Sequence, residues 1–106
     1  MTTFKDREKA FEDKYKHDQD LQFRVEVRRN KLLGLWAAEL LGLHDADAEA
    51  YAKEVVAADF EEPGDADLVR KLLSDLEAKQ VDMNEHRLRK RMDELQAEAK
   101  QQIMAE

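Results

Sequence analysis

Few residues in this chain could carry covalent chemistry. Ser74 is the only serine, Thr2 and Thr3 sit at the amino end, and there is no cysteine. Ser74 follows Leu73 in a plain helical pattern, without the glycine elbow that exposes a nucleophilic serine. It reads as an ordinary helix serine. No phosphate loop and no dinucleotide fingerprint is present. His17, His44 and His86 stand far apart, and none has a ligand partner four residues away, so solvent-exposed or capping roles fit better than zinc ligation. Imidazole as a group titrates near neutrality, which makes His17 a candidate pH-sensitive residue of its segment. The stretch "DADAEAYAKEVV" opens like a calcium loop, with Asp45, Asp47 and Glu49 at alternate positions. Ala50 stands where the turn glycine is needed, and Val56 where the bidentate carboxylate is needed, so the loop is rejected. Asp59, Glu61, Glu62, Asp65 and Asp67 crowd a short stretch. Helix-end and turn chemistry accounts for them better than a weak divalent-ion site. "RLRKR" at 87–91 resembles a nucleic-acid patch, but Leu88 must face a core. The basic groups then spread over a solvated face. No catalytic residue, metal site or cofactor is expected.

The elements that would position these residues are helices. Gly and Pro are rare (three and one) among many strong helix formers, and no stretch alternates like a strand. Thr3 can cap a first helix with Asp6 in its first turn. Its apolar stripe thickens from Leu21 through Val25, Leu32, Trp36, Leu40 and Leu43. Gly34 lies inside it, where close helix approach is the favoured reason, and Gly42 supplies a left-handed cap. Asp45 or Asp47 caps a second helix with Ala48, Tyr51, Ala52, Val55, Val56 and Phe60 inward. "EEPG" then breaks the chain. Asp65 caps a third helix carrying Leu68, Val69, Leu72, Leu73 and Leu76. Asp82 with Glu85 resembles a capping box before a fourth, which runs through Leu88, Met92, Leu95, Ala99 and Ile103. Short connections between amphipathic helices predict an all-α four-helix bundle.

One hundred and six residues make one compact domain with a surplus segment. The net charge of −7 is uneven: −1 over residues 1–20, +2 over 21–43, −8 over 44–82 and 0 over 83–106. An acidic chain is a poor nucleic-acid binder. The absence of a membrane-length apolar run and of a signal-peptide core points to the cytoplasm. No sustained heptad seam suggests a coiled-coil dimer, so a monomer is expected for the free protein.

The segment 1–20 is the anomaly. It is densely charged, yet it holds Phe4, Phe11 and Tyr15, three of the chain's seven aromatics, on one narrow face at helical spacing. A helix this short is marginal alone, so the segment is expected to be disordered or helical, continuing into the first helix. One reading is a frayed terminus. The other is a segment that folds on a partner. Burying three rings does not offset the ordering of fifteen residues, so the partner needs a deep groove that also engages the charges. The expected organisation is an interaction segment, 1–20, and a bundle, 21–106.

"DREKAFE" at 6–12, "RRNKLLGLWAAELLGL" at 28–43 and "YAKEVVAADFEEPGD" at 51–65 resemble the zeta subunit of alphaproteobacterial F-type ATP synthases. The similarity spans essentially the full length, and the fourth helix contributes least. The resemblance implies a small helical bundle that inhibits ATP hydrolysis by the synthase's catalytic head. It implies that the amino-terminal segment enters an interface between catalytic subunits and the central rotor, and acts there as a wedge against rotation in the hydrolysis direction. On this chain the residues it points to are Phe4, Arg7, Phe11, Lys14 and Tyr15. Lys5 departs from the acidic residue common there. The protein would be cytoplasmic and peripheral to the inner membrane through the synthase, without inserting into the membrane. Two other readings stay open: a small bundle that senses ATP or ADP with weak affinity, and a scaffold that binds a partner helix without inhibiting.

Overall fold

The computed structural model describes the backbone of residues 4–60 and 64–106, with side chains from residue 18 onward outside 61–63. It contains four helices: α1 (Phe4–Leu40), α2 (Asp45–Ala58), α3 (Ala66–Ala78) and α4 (Glu85–Ala105). The expected all-α bundle is what forms. α1 is the spine, packed most extensively on α2 and α4, while α3 closes the fourth side. Each consecutive pair is antiparallel, as the sequence's short connections require.

Two caps explain where the chain turns. After α1, Leu43 N–H donates to the Ala38 carbonyl and Gly42 N–H to the Glu39 carbonyl. That is a Schellman motif, and Gly42 takes its left-handed position at φ +78°. The same pattern ends α3, where Val81 donates to Leu76 and Gln80 to Glu77. There the left-handed residue is Gln80, at φ +59°.

Two amino-terminal caps differ from expectation, and the expected third lacks its side-chain bond. α2 is capped at His44 without a side-chain bond, and Asp45 and Asp47 lie in its first turn, facing the positive helix end. Asp65 is the cap residue of α3, but its carboxylate makes no cap bond because Arg29 takes it. α4 is capped by Asn84, whose Oδ1 accepts from Arg87 N–H at 2.8 Å; Asp82 instead offers its carbonyl to the Arg87 side chain.

The main core joins Leu33, Ala37 and Ala38 of α1 to Val55, Leu68, Leu72, Leu88, Met92 and Leu95. A smaller cluster of Val25, Ala99 and Ile103 continues it along α1 and α4. The α1 stripe is therefore centred differently from the sequence reading. Leu40 is exposed, and Leu21, Leu32 and Trp36 are only half-buried. Gly34 is where α1 and α2 touch: a Cβ there would lie 2.6 Å from the Ala52 Cα. Close approach is the reason for this glycine.

Candidate functional site

α1 carries both the amino-terminal segment and the spine of the bundle in one 37-residue helix, about 55 Å long. The backbone of residues 4–17 belongs to this helix. The side chains of Phe4, Arg7, Phe11, Lys14, Tyr15 and His17 lie outside the described residues. What the structure gives is the way the bundle holds the helix that bears them.

Three attachments grip α1 below residue 20. At the α4 end, Glu106 accepts from Arg24 at 3.0 Å and from Arg28 at 2.6 Å, and Arg28 also donates to Gln102. The Arg28 hydrogen bond and charge, helped by Arg24, hold the Glu106 carboxyl below its usual range. Farther along, Gly34 seats α1 directly on α2.

Between them lies a polar knot. Arg29 and Asn30 are buried on α1. Arg29 donates to both oxygens of Asp65, at 3.0 and 3.4 Å, and through Nε to Asn30 Oδ1. Asn30 Nδ2 in turn donates to Asp59 Oδ2 at 2.8 Å. The knot ties α1 to the end of α2 and the start of α3. Asp59 Oδ1 has no hydrogen-bond partner, although its side chain is 3% exposed. Burial raises the Asp59 pKa to about 6, Glu26 adds to the rise, Asn30 opposes it, and the Asp65 charge adds again. Arg29, 3.7 Å away, is turned toward Asp65 and does not cancel these.

The acidic crowding read from the sequence thus resolves into specific partners. Asp59 and Asp65 belong to the knot and Asp67 pairs with Arg70; Glu61 and Glu62 lie outside the described residues. Glu26, Asp59 and Asp65 bring carboxylate oxygens within 4.8 Å of one another, and the Arg29 guanidinium sits among them as their counter-charge. Arg29 and Asn30 were missed because apolar periodicity passes over buried polar residues. The available signal was the triplet "RRN" interrupting the stripe between Val25 and Leu32.

Two further groups of polar side chains make contacts between or along the helices. Tyr51 donates to Asp75 at 2.7 Å, and Lys71 binds the same carboxylate while lying 5.3 Å from the ring centre. Burial and that hydrogen bond push the Tyr51 phenol far above its ordinary pKa, so it stays protonated. The basic run 87–91 pairs along its own helix, Arg89 with Glu85 and Arg91 with Glu94, and Arg91 lies over the Trp36 ring at 5.8 Å. Ser74, His44 and His86 are exposed. Phe60, expected inside, is 57% exposed because α2 ends at Ala58, and its ring meets the equally open Phe23 at 5.7 Å. No helix among the described residues is long and apolar enough to cross a membrane.

Comparison with known proteins agrees with this architecture. A protein whose solution structure was determined by NMR is 50% identical, covering 80% of this chain and 96% of its own, with a TM-score of 0.72. No curated protein matches the chain. The sequence model for ATPase inhibitor subunit zeta matches residues 1–102, nearly the whole length. That match places the chain by its sequence as well as its fold: it belongs to the ATPase inhibitor subunit zeta family.

Proposed function

We propose that this protein inhibits ATP hydrolysis by an F-type ATP synthase by inserting residues 1–20 as a helix at a catalytic interface beside the central rotor. Phe4, Phe11 and Tyr15 form the buried stripe there, and Arg7 and Lys14 engage the polar walls. The inserted helix blocks rotation in the hydrolysis direction. The bundle, 21–106, stays outside as the anchor. The partners are the catalytic subunits and the rotor subunit.

The observation that supports this reading most directly is the continuity of α1. The same helix that begins at Phe4 is gripped by α2, α3 and α4 from Leu21 onward. A wedge must resist being pushed back, and a helix seated in a bundle transmits load without a hinge. The test is hydrolysis by the catalytic head with the full-length protein and with a form lacking residues 2–18. Inhibition by the full-length form alone is expected. A truncated form that inhibits equally would disprove the role of the segment, and no inhibition by either would disprove the function.

A further inference from the structure

We infer that the groove between α1 and α2 docks an acidic amphipathic helix exposed on the catalytic head, and that this contact sets the inhibitor's affinity. The inference rests on the inhibitory reading above and names the partner surface of its anchor. Two exposed phenylalanines in contact, Phe23 and Phe60, mark one end of the groove. Beside them an apolar cavity of about 370 Å³ is floored by Val27, Ala52, Val56 and Ala57. A second, of about 350 Å³, adjoins it through Val27 and Lys31. Paired open rings over an apolar floor are rare on a monomer's surface and mark interaction sites.

The rim charge decides the occupant. Lys31 and Lys53 flank the cavity, and neither has an ion-pair partner among the described residues. Among the described residues Glu49 is the single carboxylate on that cavity's rim. Arg24 and Arg28 extend the basic edge, though Glu106 answers them. A locally cationic trough on a chain of net charge −7 selects a partner rich in carboxylates. From Phe23 to Lys31 the trough runs about 12 Å, two helical turns, and two parallel ridges of helix side chains make a seat for a third helix.

Other occupants fit less well. A second copy related by a two-fold axis would set one cationic trough against another. The amino-terminal segment carries five positive and six negative groups and so lacks the required charge. It is also the continuation of α1 itself, directed away along the axis.

The test compares the full-length protein, a Lys31→Glu/Lys53→Glu form and a Phe23→Ser form. Each is titrated against the catalytic head during ATP hydrolysis at low and moderate salt. All three sites are exposed, so unchanged melting curves verify the fold. The expected result is a half-maximal concentration raised about tenfold or more in both variants. Residual activity at saturation should match the unaltered protein, and the lysine variant should lose most of the salt dependence. Unchanged half-maximal concentrations in both variants, with the unaltered protein still inhibiting, would overturn the docking surface and leave the inhibitory function standing. Failure of the unaltered protein to inhibit would remove both. If ATP or ADP alone shifts the amide signals of Val27, Lys53 and Val56, and the variants lose only that response, the groove belongs to a small ligand and the inference is wrong.

Discussion

Asp59 is the residue whose environment makes the plainest demand. A carboxyl with one buried, unpartnered oxygen, facing Glu26 and Asp65, keeps its proton to a higher pH than a free one. Its folded pKa of about 6 stands above the unfolded value of 3.8, so the native state binds the proton first. Stability should therefore be greatest toward the low end of that window and fall as pH rises through about 6. Melting is expected at a higher temperature at pH 5 than at pH 7.5. Asp59→Asn supplies the amide equivalent of the protonated acid. It should flatten the dependence and stabilise the protein at pH 7.5 by on the order of 1–2 kcal/mol, since the solvent-open Glu26 and Asp65 screen the full effect. A mutant that keeps the wild-type pH slope would contradict this account. At the residue scale the sequence was least informative. It displayed the acidic stretch but not that Asp59 and Asp65 answer Arg29 and Asn30, because such pairings span 29 and 36 positions and leave no periodic trace.

At the scale of the helices, two single positions carry opposite lessons about glycine. Replacing Gly34 by Ala should help an isolated helix by about 1 kcal/mol. In the bundle the new methyl meets the Ala52 backbone at 2.6 Å, and α1 and α2 must part. A net loss of about 1–2 kcal/mol is expected in denaturant unfolding; a stabilised Gly34→Ala would mean the helices are not in contact there. Gln80 has the reverse problem. It holds the left-handed seat of a Schellman turn that glycine occupies without strain at the end of α1. Gln80→Gly should gain about 0.5–1 kcal/mol, measured the same way. The sequence showed the helices, their order and the cap at Gly42. It misassigned the starts of α2 and α4, because several Asp and Asn residues compete for each cap and only the local turn decides among them. Phe60 was placed inside by extending a helical pattern two residues past its true end.

The whole molecule divides its work along α1. Leu21 packs against the cluster of Val25, Ala99 and Ile103, and residues 18–20 are exposed. Removing residues 2–18 should therefore leave the thermal midpoint within about 2 °C of the full-length value. A large drop would show that the bundle needs the segment to fold. The bundle as a whole was legible because four stripes of period 3.6, joined by short polar turns, admit few other arrangements. The aromatic trough was not. Phe23 fits no stripe, and exposure depends on what the neighbouring helix fails to cover.

Trp36 is the chain's only tryptophan, half-buried on α1 with the Arg91 guanidinium of α4 over its ring. The protein thereby contains its own optical gauge. Indole emission comes from one place, at the seam between the helix that would do the blocking and the helix that braces it. A cation over the ring tunes that emission. Any load that slides α1 along α4 will change the colour and brightness of a single, unlabelled fluorophore, so the seating of the inhibitor can be followed in real time by light alone.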